Sequence, residues 1–275
     1  MSSPTSALKA IRNQITGFRQ NLAFSNGWSI LAQRLFRRHC PLVSYHWKKR
    51  WWLVCDLRYQ DAHAPKELLA DGCYDRWILR SIRDGCLSYV NVGANIGAFD
   101  IAVAGLAKQI PHACSIELNP GTFARLSFNV HLNNLRYVRM LNCGVGGEPG
   151  TFVVHSSNCS LADGLFAPPL AGAEDLQAFK VPILTLADSL EKVGLGETQF
   201  DLLKLDCEGA EYGIIRQSSP ELLRRFRNVV IELHPEPPNE SAAALYEKLT
   251  GCGFETDQPQ WLPSEPPGLR FWERR

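Results

Sequence analysis

No Cys-x-x-Cys pair occurs among the nine cysteines of this 275-residue chain, and their number is odd. Scattered from Cys40 to Cys252, they argue against a disulfide framework and against a thiolate zinc site; they predict reduced thiols in a cytoplasmic protein. No apolar run approaches the roughly 20 residues a bilayer span needs. The opening residues lack a signal-peptide pattern, and no internal repeat is found. Acidic side chains are missing altogether from residues 1–50, which carry nine Lys and Arg; the rest of the chain holds 20 basic and 28 acidic residues. The net charge of +1 therefore hides an asymmetry that suggests an anionic contact for the amino-terminal part.

A further absence concerns glycine. A dinucleotide fingerprint requires G-x-G-x-x-G. In Tyr89-Val90-Asn91-Val92-Gly93-Ala94-Asn95-Ile96-Gly97 the middle glycine is missing, which disfavours NAD and leaves S-adenosylmethionine as the better candidate. What is present is a short β-branched strand, a turn that Gly93 and Gly97 allow to bend sharply, and a helix from Ala98. A strand entering a helix through small residues is a nucleotide-binding corner.

The length suits one large domain with an extension, and 45% hydrophobic and 21% charged residues are ordinary for a soluble globular protein. Residues 5–24 predict a helix, with Leu8, Ile11, Ile15, Phe18 and Leu22 at alternating spacings of three and four. A second basic amphipathic helix is predicted at about 28–39, from Trp28, Leu31, Leu35 and Phe36 with Arg34, Arg37 and Arg38. Such a pair either lies on an anionic membrane surface or docks on its own domain or a second subunit. The predicted division is a basic helical extension over 1–50, a lid or substrate-side segment over 51–85 (a strand at 51–59, a helix at 66–83), and a cofactor-binding domain over 86–275.

From residue 86 strands and helices alternate, the pattern of a parallel sheet covered on both faces. Core strands are predicted at 89–92, 112–116, 137–141, 200–206 and 228–234. An added pair at 151–155 and 179–184 flanks a long loop, 156–178, expected to be a flap facing substrate. A closing antiparallel pair is expected at 254–257 and 269–272.

Glu117 stands 20 residues beyond Gly97, at the end of the second strand, where a carboxylate can accept both ribose hydroxyls of a nucleoside. Asp206, Glu208 and Glu211 cluster after the fourth strand, and Glu232 and His234 end the fifth. Such a set could orient a hydroxyl, take its proton, or hold a divalent cation such as magnesium. Glu211 also reads as a first-turn helix acid facing the macrodipole.

Four segments together resemble the FkbM family of S-adenosylmethionine-dependent methyltransferases: Val90 to Gly97, Glu117-Leu118-Asn119-Pro120, Asp201-Leu202-Leu203-Lys204-Leu205-Asp206-Cys207-Glu208-Gly209-Ala210-Glu211, and Ile231-Glu232-Leu233-His234. Gly72-Cys73-Tyr74-Asp75 adds a weaker fifth. The resemblance covers about 70–255. It implies a class I methyltransferase (Rossmann-like) fold: a seven-stranded, mostly parallel sheet with helices on both faces, here with a helical amino-terminal extension. It also implies methyl transfer to oxygen, often of a sugar, glycolipid or natural product. Expected cofactor contacts are Asn91, Gly93, Asn95, Gly97, Glu117, Leu118, Asn142, Cys143 and Asp206. His234 or Asp206 is expected as base, with Glu208 and Glu232 orienting.

Relatives usually carry Asp at the position of Asn91, where the acid would face the amino group of the cofactor. An amide oxygen accepts a hydrogen bond there without the charge, so Asn91→Asp is expected to tighten cofactor binding. The rival readings are a methyltransferase-fold binding module with weak or no activity and, further off, an NAD(P)-dependent oxidoreductase. A nucleic-acid partner is not expected, since no Asn-Pro-Pro-Tyr motif appears.

Overall fold

The strand-turn-helix corner lies at the centre of the molecule. The structure, a computed structural model, describes residues 15–36, 40–156, 177–262 and 264–274. β3 (Tyr89–Val92) and α3 (Ala98–Leu106) form the corner. On one side β3 pairs with β4 (Ala113–Glu117), which pairs with β5 (Val138–Asn142); on the other it pairs with β9 (Phe200–Leu205), which pairs with β10 (Phe226–Leu233). All four pairings are parallel. β12 (Gly268–Arg274) runs antiparallel to both β10 and the short β11 (Phe254–Glu255). The sheet is thus seven-stranded, in the order β11-β12-β10-β9-β3-β4-β5. Successive strands go first to one side of β3 and then to the other. The crevice opens where that order reverses, beyond the carboxyl ends of β3 and β9.

Strand alternation divides the core. Tyr89 packs on one face with Phe99, Leu126, Leu202 and Phe271, whereas Val90 and Val92 pack on the other with Leu203, Leu205, Ile214 and Trp272. α3 and α4 (Pro120–Leu132) cover the first face; α5 (Glu211–Gln217) and α6 (Ala242–Gly251) cover the second. Asn119 caps α4 by accepting from Gly121 N–H and Thr122 N–H, with Pro120 at the first helical position. A three-stranded side sheet follows β5, in the order β6 (Gly144–Val145), β8 (Gln177–Leu184), β7 (Gly150–Ser156). The expected flap at 156–178 falls almost wholly outside the described residues.

Before β3 the structure departs from expectation in two places. The boundary at residue 50 falls in the turn of a hairpin: β1 (Leu42–Trp47) pairs with β2 (Trp51–Asp56) from Leu42↔Asp56 to Trp47↔Trp51. Val43, Tyr45 and Trp47 are buried on alternate positions, so this stretch of the basic extension is a strand. The single helix expected over 66–83 is a π-helical turn, Pro65–Ala70, and a separate α2 (Asp75–Ser81). Gly72 at φ +64° breaks them apart. Ahead of the hairpin, residues 15–22 are helical and α1 spans Gly27–Phe36; residues 1–14 and 37–39 lie outside the described set.

The hairpin joins the sheet through two asparagines one turn apart, Asn129 on α4 and Asn133 at its C-cap. Asn129 accepts from Val54 N–H and donates to Val54 O and Ile96 O. Asn133 accepts from Trp52 N–H and donates to Trp52 O. The outer edge of β2 thereby finds on a helix the partners a neighbouring strand would supply. Asn129 also holds the carbonyl of Ile96 inside the glycine turn, so it links hairpin and corner. Replacing Asn129, which is buried, by Ala leaves three backbone groups unpaired and is expected to cost about 2–3 kcal/mol in denaturant unfolding. Asn133→Ala, whose hydrogen bonds to Trp52 are exposed, should cost about 1 kcal/mol or less in the same measurement.

Candidate active site

Positive backbone angles shape the turn after β3: Gly93 lies at φ +74°, Asn95 at +48° and Gly97 at +90°. Gly93 N–H and Ala94 N–H both donate to Ile116 O, at 3.0 and 2.9 Å. A Cβ on Gly93 would collide with the carbonyl oxygen of Asp206; the turns after β3 and β9 meet backbone to backbone there. Asn95 N–H donates to Glu117 Oε2 and Asn119 N–H to Glu117 Oε1, each at 2.9 Å. These two bonds aim the strand-end carboxylate across the crevice.

A cavity of about 270 Å³ occupies the crevice. Its two ends differ in chemistry. Ile116, Leu118, Cys143, Gly144 and Val145 make an apolar shelf beside Glu117. At the other end stand Glu67, Asp206, Glu208, Glu232 and His234. An apolar slot flanked by a carboxylate suits a purine nucleoside, and the acids beyond it suit a cationic neighbour.

The acidic end is built around Glu211. Its side chain is fully buried; Oε2 accepts from Gly209 N–H at 2.9 Å, and Oε1 accepts from His234 N–H at 3.0 Å and faces His234 Nδ1 at 3.1 Å. Nε2 of His234 therefore turns toward Glu208 Oε2, 3.6 Å away. Tyr212 Oη secures the His234 carbonyl at 2.6 Å. Burial alone would lower the imidazole, but the hydrogen bond and charge of Glu211, with Glu208 and Asp206, outweigh it and push His234 up to about 9. Glu232 is pushed up to about 7, chiefly by burial and then by the charge of Asp206; its Oε2 lies 3.5 Å from Tyr74 Oη. Asp206 pairs with Lys204 Nζ at 3.1 Å.

Ligand atoms of Asp206, Glu208 and His234 lie within 4.8 Å of one another, a group that could hold a cation. At neutral pH the imidazole carries a proton and Lys204 sits on Asp206. A metal would have to displace both.

Of the residues expected to touch a cofactor, Gly93, Asn95, Glu117, Leu118, Cys143 and Asp206 line the cavity, whereas Asn91, Gly97 and Asn142 do not. Gly97 starts α3, shaping the turn from outside. Asn142 donates to Glu117 O and Leu118 O at 2.8 and 3.0 Å, buttressing the loop behind the cavity. Asn91 is fully buried and points away from the cavity: its Nδ2 donates to Asp100 Oδ2 at 3.2 Å. Asp100 also accepts from Tyr89 Oη and Ser115 Oγ at 2.7 and 2.5 Å. A buried carboxyl next to position 91 is thus supplied by Asp100, in the first turn of α3. Asn91→Asp would set two carboxylates together in the core, so the expected gain in cofactor binding gives way to a loss of stability. Nothing in the spacing announced Glu67, which the segment before β3 brings to the cavity; Tyr74, from the Gly72-Cys73-Tyr74-Asp75 segment, stands behind it against Glu232, and Glu211 is a clasp where it reads locally as a first-turn helix acid.

The FkbM methyltransferase domain model matches residues 91–256. The chain belongs to the FkbM methyltransferase family. Methyltransferase 1 of Beauveria bassiana is 25% identical over 217 residues, covering 73% of this chain and 84% of that protein. Methyltransferase sdnD of Sordaria araneosa is 30% identical over 228 residues, covering 73% and 85%. The crystal structure of methyltransferase FkbM from Methylobacillus flagellatus KT matches with 14% identity and a TM-score of 0.46, covering 82% of this chain and 56% of that one. The family match starts at Asn91 and ends beyond β11, so it spans the corner, Glu117, the Asp206–Glu211 turn and His234. It stops short of the hairpin and the helices that precede it.

Two measurements check this geometry. Asn91→Asp is expected to lower unfolding stability by about 2 kcal/mol or more in urea. The proton on His234 contributes stability that is complete below about pH 6.5 and is lost as pH rises through about 9. The melting-temperature gap between the wild type and His234→Gln should therefore narrow between pH 6 and pH 10.

Proposed function

We propose that this chain is an S-adenosylmethionine-dependent methyltransferase acting on a hydroxyl of a small acceptor: a sugar, glycolipid or natural product. One observation carries the reading. A single cavity runs from an apolar shelf beside Glu117 to an acidic end at Asp206, Glu208 and Glu232, beside His234. When bound, S-adenosylmethionine supplies an electrophilic methyl on a sulfonium. The chain's part is to bind, orient and manage one proton.

Glu117 would accept the ribose hydroxyls, and Ile116, Leu118, Cys143 and Val145 would flank the base. Gly93, free of a side chain, lets the backbone approach closely. The carboxylates of Asp206, Glu208 and Glu232 favour positive charge at the far end. An acceptor hydroxyl held at that end would lie beside the methyl that the cofactor would supply, and a neighbouring side chain would have to take its proton.

The base assignment moves from His234 or Asp206 to Glu232. A base is most efficient when it titrates near the working pH. Glu232 is raised to about 7, whereas His234 at about 9 is an imidazolium under those conditions. Asp206 is engaged by Lys204. His234, clasped by Glu211, then orients Glu208 and the acceptor.

Purified protein incubated with labelled S-adenosylmethionine and a glycan or metabolite extract is expected to transfer label, with or without a chelator. Glu232→Gln should lower turnover by about 10²–10⁴, abolish the acid limb of the rate near pH 7, and leave cofactor affinity within about threefold. A protein that binds the cofactor by calorimetry and transfers no label to any fraction would be a binding module instead. A variant that keeps the acid limb would remove Glu232 from the chemistry.

A further inference from the structure

Helices on a soluble protein normally turn their apolar stripe inward. The amino-terminal pair does the reverse. In α1, Gly27 and Ile30 are buried, while Trp28, Leu35 and Phe36 are 71%, 63% and 85% exposed. With the exposed Ala32 these follow the i, i+4, i+7, i+8 spacing of one helix face. In the helix at 15–22, Ile15, Phe18 and Leu22 are likewise exposed, at i, i+3 and i+7. Phe18 meets Trp28 edge-on, with ring centroids 6.1 Å apart, so the two stripes join into one apolar surface. Patches of this kind mark an interaction site.

Charge decides what covers it. Residues 1–50 hold nine Lys and Arg and no acid. Arg19 is exposed beside the stripe, and Lys48, Lys49 and Arg50 are exposed at the hairpin turn. That turn is tied to the link between the two helices, because Lys49 N–H donates to Ser25 Oγ at 3.0 Å and Ser25 N–H to His46 O at 2.7 Å. A second copy of the chain, docked symmetrically, would bring the same cations together, and these segments carry no carboxylate of their own to meet them; the acid at their edge, Asp71, is already held by Gln20 Nε2. An anionic bilayer satisfies both features: the aromatic and leucine side chains enter the boundary between headgroups and acyl chains, and the cations meet the headgroups.

We propose that residues 15–36, with Lys48, Lys49 and Arg50, form a docking surface for an anionic lipid bilayer. The helices lie in the membrane plane and do not cross it; among the described residues no helix is long and apolar enough to span. The proposal is independent of the methyl-transfer reading.

Flotation of the full chain with vesicles tests it. Binding is expected to vesicles of phosphatidylcholine with about 30 mol% phosphatidylserine, to fall at least ~10-fold on pure phosphatidylcholine, and to weaken at ~0.5 M salt. Trp28→Ser with Phe36→Ser, both solvent-exposed, should keep the melting temperature and lose binding by ~10-fold or more. Equal binding of wild type and double variant would overturn the proposal, as would no binding to either vesicle. Self-association by sedimentation equilibrium that the same substitutions abolish would assign the surface to a second copy and overturn it too.

Discussion

One buried ammonium ties together the two turns from which the cavity is built. Lys204 Nζ donates to Gly93 O at 2.8 Å, lies 3.4 Å from Val92 O, and pairs with Asp206 at 3.1 Å. A charge taken out of water is tolerable only when its partners are close and well placed. Lys204 therefore fixes the end of β9 against the end of β3, and the absence of a side chain on Gly93 lets the backbones touch. The distance between the Glu117 end and the acidic end of the cavity follows from that contact.

The same row extends across the sheet. Ser115, Asn91 and Lys204 are register partners on β4, β3 and β9. Below Ser115 and Asn91 sits Asp100, with three side-chain donors on its carboxylate. Burial raises that carboxyl, and the hydrogen bonds from Ser115, Tyr89 and Asn91 work the other way, aided by the charge of Lys204. Asp100 is the centre of this polar network: it gathers three donors from β3 and β4, although the amide oxygen of Asn91 stays without a partner. It also places a carboxyl beneath the corner of a chain with Asn91 without exposing it to the cavity.

At the acidic end, protonation separates groups of similar chemistry. Glu211 is sealed in and spends its oxygens on backbone N–H groups and the imidazole. Glu232, crowded by Asp206, titrates near neutrality. His234 holds its proton well above it. Two neighbouring groups with their ordinary affinities exchanged, a carboxyl near 7 and an imidazole near 9, are the mark of a site arranged for proton handling. The amino-terminal hairpin and helices stand apart from this chemistry, yet Asn129 connects the hairpin to the glycine turn through one side chain.

Local signals in the sequence determined the corner at 89–97, the order of the core strands, the asparagine cap of α4 and the antiparallel closure by β11 and β12. Each depends on periodicity, turn residues or a cap within a few positions. The placing of Glu117 and of the Asp206–His234 group at the carboxyl edge followed from strand order alone. The direction of Asn91, the clasp of Glu211 on His234, the arrival of Glu67 at the cavity, the contact of Tyr74 with Glu232, and the strand within the basic extension were decided only by tertiary structure. Each of these rests on which residues from distant parts of the chain come into register, and on how much water they lose when they do. Proton affinities follow that loss of water, so the exchange between Glu232 and His234 had no counterpart in the order of residues.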